Sequence, residues 1–126
     1  MNKDTVQDIG DLMTGDLIAV RPSDRVGRAL DILLQSGLHA LPVIDDGGRA
    51  VGLVTTADLV AVDADELIGE RFYGPPITLD RRSQISLAAT LMRQEYVHHI
   101  IVTENDTAVG MLSSYDLLKM LESEEQ

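Results

Sequence analysis

Apolar residues near the start of the chain recur first at extended and then at helical spacing. The short apolar segment Leu17–Val20 predicts a strand. A set at intervals of three and four residues then predicts a helix with one apolar face: Val26, Ala29, Leu30, Leu33 and Leu34. Ser23 precedes this set and is the predicted N-cap. Gly37 follows it and is predicted to end the helix in the left-handed conformation.

Two further strands and a helix complete the first half of the chain. The segments Ala40–Ile44 and Ala50–Val54 predict strands, and Asp45-Asp46-Gly47-Gly48 between them predicts a tight turn. A short helix is predicted to begin near Thr56 and to run through Leu59. Residues 61–70 are expected to link this half to the next.

The second half of the chain has the same order of elements. Three strands are predicted, the last two joined by a turn at residues 104–107: Ile77–Leu79, His98–Thr103 and Ala108–Leu112. A helix with Ser83 as its N-cap is predicted from another apolar set: Leu87, Ala88, Leu91 and Met92. A last helix at Tyr115–Leu121 is expected to fray into an acidic tail.

Comparing the sequence with itself shows an internal repeat. At a shift of 59, one set of residues meets identical partners: Ile9, Gly10, Gly15, Ile18, Ala29, Gln35, His39 and Val43. After one deleted residue in a turn, the shift becomes 58 and a second set matches: Ala50, Val51, Gly52, Asp58 and Leu59. Two copies of one unit therefore fill the chain.

Each copy is a βαββα unit whose two short helices cannot cover a mostly apolar sheet face. We therefore predict an α/β (α+β) fold with repeats at residues 9–60 and 68–121. Each repeat is expected to be a small mixed three-stranded sheet flanked by two helices, and the repeats to pack with pseudo-two-fold symmetry around a pair of clefts. Residues 1–8 and 122–126 are expected to be flexible ends.

Composition narrows the classes of partner and compartment. The formal net charge of −11 disfavours nucleic acid and anionic membrane, which bind through clustered Lys and Arg. It also repels phosphate, so an anion site needs local donors. Without cysteine the chain has no thiolate nucleophile, disulfide or Cys-ligated metal. No segment resembles a membrane span or a signal peptide, so we expect a cytoplasmic protein.

A segment with hydroxyl and carboxylate groups occurs in both halves, where a strand leads into a helix. Two interpretations remain open. The hydroxyls and free helix amides can bind phosphate while the aspartates accept hydrogen bonds from a ribose diol. Alternatively, the hydroxyls cap the helices and the aspartates complement the helix dipole. The residues concerned are Thr55, Thr56 and Asp58 in the first half, and Ser113, Ser114 and Asp116 in the second.

A histidine stands at the entry to the central strand of each half. His39 and His98 are equivalent, and from these positions an imidazole can donate to a phosphate. The alternative is a partly buried structural residue. His98 and His99 are neighbours on a strand and point to opposite faces, so they do not form a metal pair. We expect no metal site and no cofactor.

The repeat, the doubled Gly-x-x-Ser/Thr-x-x-Asp segment and the strand motif Leu38-His39-Ala40-Leu41-Pro42-Val43-Ile44-Asp45 together resemble the cystathionine-β-synthase (CBS) domain family. The resemblance covers residues 9–60 and 68–121. It implies a tandem pair of CBS domains, also called a Bateman module. Its two clefts would hold adenosine nucleotides such as AMP, ADP or ATP, or less often S-adenosylmethionine.

The resemblance also implies which residues line each cleft. One cleft would combine Ser113, Asp116 and His98 with Ile18 and Leu38. The other would combine Thr55, Asp58 and His39 with Ile77 and Val97. The aliphatic residues would sandwich adenine, although Leu38 and Val97 fit equally well as core residues.

The second half departs from the family pattern in two places. The run His99-Ile100-Ile101-Val102-Thr103 replaces the usual Leu-Pro-Val-Asp sequence, and bulky Tyr115 follows the hydroxyl pair. Because Tyr115 can fill or reshape its cleft, we do not expect equal occupancy of the two clefts.

The sequence favours a regulatory module over an enzyme, since no nucleophile–base pair, metal set or close carboxylate pair is visible. We expect binding of AMP, ADP or ATP, transmission of occupancy to an effector protein, and homodimerisation as in the family. One alternative is a structural or dimerisation module without a physiological nucleotide. The other is a binder of S-adenosylmethionine.

Overall fold

The computed structural model describes residues 6–72 and 74–124, which fall into two compact units. The first-repeat unit is Ile18–Pro76, and the second-repeat unit is Met1–Leu17 together with Ile77–Gln126. Each unit combines a small sheet with helices, which confirms the predicted α+β class. No helix among the described residues is long and apolar enough to cross a membrane.

The described elements follow the predicted order, with two short helices added and the predicted strand Leu17–Val20 missing. In chain order they are α1 (Ile9–Leu12), α2 (Val26–Ser36), β1 (Ala40–Ile44), β2 (Ala50–Thr55), α3 (Thr56–Leu59), α4 (Ile68–Arg71), β3 (Thr78–Asp80), α5 (Ile85–Glu95), β4 (His99–Glu104), β5 (Thr107–Ser113) and α6 (Ser114–Glu124). The added helices are α1 and α4, and α4 begins within the predicted linker. α6 continues past its predicted end at Leu121. The predicted flexible ends lie partly outside the described residues.

The sheets of the two units differ in strand number. In the second-repeat unit, β3 pairs parallel with β4 and β4 pairs antiparallel with β5, as predicted for a mixed three-stranded sheet. The first-repeat unit has only the antiparallel pair β1 and β2, so the prediction of three strands there is wrong. The predicted strand Leu17–Val20 is reduced to a bridge at Val20, which pairs with Val43. Only Val20 of that segment exchanges backbone hydrogen bonds with β1, through Pro42 and Ile44.

The compact units do not coincide with the sequence repeats, because α4, which leads the second repeat, belongs to the first-repeat unit. The amide of Ile68 donates to the Asp24 carbonyl at 2.8 Å, and the amide of Gly69 donates to the Pro22 carbonyl at 2.9 Å. Ile68 is fully buried in the core of that unit. Residues 61–70 are therefore more than a linker.

The helix α1, which leads the first repeat, makes the equivalent contacts in the second-repeat unit. The amide of Ile9 donates to the Ser83 carbonyl at 3.1 Å, and the amide of Gly10 donates to the Arg81 carbonyl at 2.8 Å. The turn that contains Ser83 thus receives α1. The prediction of Ser83 as an N-cap is wrong, since Gln84 precedes α5 and makes no side-chain cap.

The prediction of Ser23 as the N-cap of α2 is also wrong. Arg25 occupies that position in extended conformation, without a side-chain hydrogen bond to the helix. The first two helix amides donate instead to the carbonyls of Glu66 and Ala64, each at 2.9 Å. Because backbone carbonyls from the segment before α4 satisfy these amides, no serine side chain is needed.

Each unit has its own aliphatic core. The core of the first-repeat unit consists of Val20, Val26, Ala29, Leu33, Leu41, Val43, Val54, Leu59 and Ile68. The core of the second-repeat unit consists of Ile9, Ala88, Met92, Ile100, Val102 and Leu112. The apolar face of α2 is narrower than predicted, since Leu34 at its edge is 77% exposed. On α5, Leu87 is likewise exposed.

The helices α2 and α5 both end at a residue in the left-handed conformation, but the residue differs. Gly37 ends α2 with φ 74°, which confirms the predicted left-handed cap. The equivalent residue after α5 is Tyr96, with φ 55°. The left-handed conformation costs a residue with a side chain roughly 1–2 kcal/mol. Asn105 and Asp106 also have positive φ values, 53° and 63°, as a two-residue hairpin turn requires.

Gly52 in β2 and Gly110 in β5 lie where another backbone segment passes closely. A Cβ atom at position 52 would overlap the Phe72 carbonyl oxygen, and one at position 110 would lie 2.7 Å from the Thr14 carbonyl oxygen. Phe72 follows α4 and Thr14 follows α1. The glycine of each motif therefore makes room for the segment that leads in from the other repeat.

We predict that Gly52→Ala lowers the free energy of unfolding by about 1–3 kcal/mol, because the added methyl group must displace backbone rather than a flexible side chain. Urea denaturation measures the change. Gly15→Ala is the control, since a Cβ there meets no atom within 4 Å; its effect should stay within about 0.5 kcal/mol. Equal stability of the two variants would show that the crossing at Gly52 is not tightly packed.

Candidate functional site: two aspartate capping boxes

The first-repeat unit closes its hydroxyl and aspartate groups into a reciprocal pair of hydrogen bonds. Thr55 Oγ1 accepts from the Asp58 amide at 3.2 Å, and Asp58 Oδ2 accepts from the Thr55 amide at 3.0 Å. This arrangement is a capping box at the start of α3. Asp58 stays exposed, and its Oδ1 accepts no hydrogen bond from the described residues.

Ser113 and Asp116 form the same box at the start of α6 but in a more enclosed setting. Asp116 Oδ2 accepts from the Ser113 amide at 2.8 Å and from the Ser113 hydroxyl at 3.0 Å. Ser113 Oγ accepts from the Asp116 amide at 3.2 Å. Lys119 Nζ lies 3.5 Å from Asp116 Oδ1. Asp116 is only 7% exposed, and each of its two carboxylate oxygens has a partner.

Tyr115 and Lys119 lie beside the second box. Lys119 Nζ is 5.0 Å from the centroid of the Tyr115 ring, which is within the range of a cation–π interaction. Tyr115 is 65% exposed. Sequence analysis missed Lys119, although its spacing three residues after Asp116 on a predicted helix is a signal of side-chain contact.

The predicted histidines are joined to these helix starts through their main chains. The His39 carbonyl accepts from the Thr56 amide at 3.3 Å, and the His98 carbonyl accepts from the Ser114 amide at 2.9 Å. Both histidines are exposed, so the alternative of a partly buried structural residue is wrong. Each unit therefore brings a histidine, a hydroxyl pair and an aspartate into one neighbourhood.

The amides of α3 are largely used within the protein. The Thr56 amide donates to His39 and the Asp58 amide donates to Thr55, which leaves the Ala57 amide without a partner among the described residues. The capping interpretation is thus confirmed for Thr55, and also for Ser113. In the first-repeat unit it does not exclude a ligand, because Asp58 is exposed and the Thr56 hydroxyl makes no hydrogen bond among the described residues.

The predicted aliphatic contacts separate into two kinds. Ile18 and Leu38 are exposed, at 44% and 38%. Ile77 and Val97 are half-buried against the core of the second-repeat unit. The alternative of a core residue therefore fits Val97 and does not fit Leu38. Among residues 6–72 and 74–124, no three His, Cys, Asp or Glu side chains are grouped to hold a metal ion.

We predict that Ser113→Ala lowers the free energy of unfolding by about 0.5–2 kcal/mol, because the Asp116 amide loses its acceptor. Thermal and urea denaturation measure the loss. Ser114→Ala is the matched control, since the Ser114 hydroxyl makes no hydrogen bond within the described structure, and its effect should stay within about 0.5 kcal/mol. If the two variants unfold alike, the box around Asp116 does not stabilise α6.

Known proteins are similar to this chain in sequence and in fold. The crystal structure of CBSX2 in complex with AMP matches with a TM-score of 0.87 and 25% identity, covering 96% of this chain and 100% of that chain. Homoserine O-acetyltransferase of Methanocorpusculum labreanum is 28% identical over 117 residues, which are 90% of this chain and 24% of that enzyme. The chloroplastic CBS domain-containing protein CBSX2 of Arabidopsis thaliana is 43% identical over 58 residues, 44% of this chain and 24% of that protein.

The chain spans between 23% and 31% of the length of these and other curated relatives. The family model of the CBS domain matches residues 9–65 and residues 73–123. Two matches that together cover most of the sequence, on a fold shared with a solved CBS protein, show that the chain belongs to the CBS-domain family and carries two CBS domains.

Proposed function

We propose that this CBS pair is a regulatory module that binds an adenosine nucleotide, AMP, ADP or ATP, and transmits occupancy to a partner protein. The observation that carries the proposal is the repeated set of aspartate, hydroxyl pair and exposed histidine, once in each unit. The similarity to a CBS protein crystallised with AMP supports it. CBS-domain pairs are in general regulatory ligand-binding modules.

The ligand groups have separate requirements that the residues of the motif can meet. A ribose diol donates hydrogen bonds, and Asp58 Oδ1 is an exposed acceptor for them. Adenine needs apolar surface, and Ile18 and Leu38, which the sequence analysis assigns to the cleft of Asp116, offer exposed aliphatic side chains. A phosphate needs donors that overcome the net charge of −11. The hydroxyl of Thr56 and the imidazole of His39 are such donors.

The proposal assigns no catalytic role to the chain. Each aspartate lies in a capping box, where its carboxylate accepts from a backbone amide, and in Asp116 also from the Ser113 hydroxyl that caps the same helix. The similarity to homoserine O-acetyltransferase extends over 24% of that enzyme. A regulatory segment that accompanies an enzyme is consistent with a match of this extent.

We predict that Asp58→Ala weakens AMP binding about tenfold or more, since a hydrogen bond to a charged group contributes about 1.5–3 kcal/mol. The same change should lower stability only by about 0.3–1 kcal/mol, the worth of a carboxylate near a helix start. Isothermal titration calorimetry gives the affinity and thermal denaturation the stability. Asp31→Ala is the matched control: it removes one exposed carboxylate from α2, outside the motif.

The ligand panel for this experiment is AMP, ADP, ATP and S-adenosylmethionine. A nucleotide at 100 times its dissociation constant raises stability by about 2.7 kcal/mol, which a thermal shift detects. If no member of the panel binds, the chain is a structural module. If a nucleotide binds and Asp58→Ala leaves its affinity unchanged, the proposed ribose contact is wrong.

We further propose that two copies of the chain associate. α6 exposes Tyr115, Leu118 and Leu121 at intervals of three residues, and neighbouring exposed apolar side chains of this kind are typical of an interaction face. Light scattering at micromolar concentration should give the mass of two chains, and the double substitution Leu118→Glu with Leu121→Glu should give the mass of one. Leu34→Glu, at an exposed position on α2, is the control. A parent protein with the mass of one chain would contradict the proposal.

A further inference from the structure

The two aspartates that occupy equivalent positions in the repeats have different surroundings. Each uses Oδ2 to accept from the backbone amide of its own capping box, at 3.0 Å for Asp58 and 2.8 Å for Asp116. Oδ1 is then the oxygen left for a ligand hydroxyl. Asp58 is an exposed residue, and its Oδ1 accepts nothing from the described residues. On Asp116 it faces the Lys119 ammonium at 3.5 Å.

The residues around Asp116 that cause this difference are absent from the first repeat. At the repeat shift of 58, Lys119 corresponds to Ala61 and Tyr115 corresponds to Ala57. The ring of Tyr115 lies 5.0 Å from the Lys119 ammonium, which favours the lysine conformation that reaches the carboxylate. Both repeats have the aspartate, so the difference between the two boxes lies in the neighbouring residues that contact it.

We propose that Lys119, held by Tyr115, competes with ligand hydroxyls for Asp116 and so makes the Asp116 box a weaker ribose acceptor than the Asp58 box. This inference rests on the proposed function, because it concerns the same ribose contact. A ribose that reaches Oδ1 of Asp116 must displace the ammonium, whereas one that reaches Oδ1 of Asp58 displaces only water. The module then has two boxes of unequal affinity instead of two equal ones.

The competition is modest in size, and this sets the expected effect. The Lys119 side chain is 54% exposed and the Asp116 side chain is 9% exposed. Because the ammonium stays half in water, the ion pair stabilises only weakly. Removal of such a pair changes a binding constant by up to about fivefold. The competition therefore gives the two boxes different affinities for ribose, and it is too weak to prevent binding at the Asp116 box.

The test uses the full chain with one box inactivated. In the Asp58→Ala background, where the Asp116 box remains, Lys119→Met should tighten adenosine binding by up to about fivefold. Adenosine is the probe because it has the ribose diol without a phosphate charge. The gain should vanish with 2′,3′-dideoxyadenosine, which lacks both hydroxyls.

The reciprocal substitution moves the competitor to the other repeat. In the Asp116→Ala background, Ala61→Lys places an ammonium three residues after Asp58 and should weaken adenosine binding by a similar factor. Arg93→Met is the control for charge, because it removes one exposed cation from α5. Among the described residues, the ion pair of Asp116 is with Lys119 and not with Arg93. Its effect on adenosine affinity should be small.

Three outcomes would overturn the inference, and they are distinguishable. Unchanged adenosine affinity in Lys119→Met shows that the lysine does not compete. Weaker AMP binding with unchanged adenosine binding shows that Lys119 binds the phosphate. Absence of adenosine and AMP binding in the parent protein and every variant overturns the proposed function as well. Thermal denaturation of each variant confirms that the protein is folded.

Discussion

The helix that leads each sequence repeat packs in the compact unit of the other repeat. Two backbone hydrogen bonds hold each of these helices, four in all, and the rest of the packing depends on them. Ile68 and Gly69 donate to the turn before α2, and Ile9 and Gly10 donate to the turn before α5. The donors are main-chain amides in both cases, so side-chain substitutions change the contacts around them without removing them. Each isoleucine is then fully buried in the core it enters.

This exchange explains why neither sequence repeat is by itself a compact unit. A βαββα segment without the leading helix of the other repeat would lack a buried isoleucine. In the first repeat, α2 would also lose the carbonyls of Ala64 and Glu66 that satisfy its first two amides. Orphaned helix amides away from water are costly. The two repeats are therefore joined by covalent connection and by cores to which both repeats contribute residues.

The capping boxes fix the position of an aspartate by local hydrogen bonds alone. A carboxylate that accepts from its own helix start is fixed in position without help from distant residues. One of its oxygens remains for other partners, and the neighbouring residues decide which partner it meets. In the first repeat the neighbours are two alanines. In the second they are Tyr115 and Lys119, which place a cation beside the free oxygen.

The sequence by itself determined the features whose cause is local. The repeat, the strand Ala40–Ile44, the hairpin turns, the left-handed Gly37 and the grouping of hydroxyls with aspartates all follow from residue types over short spans. Tertiary structure decided the starts of α2 and α5. At α2, carbonyls distant in sequence replace the predicted cap by Ser23, and before α5 the carbonyl of Ser83 accepts from α1 instead. It also decided the roles of α1 and α4, since each is held by backbone hydrogen bonds to a turn that is distant in sequence. Tertiary structure also decided the different surroundings of Asp58 and Asp116. The local motif is the same in both repeats, but burial and the lysine contact depend on the packing around it.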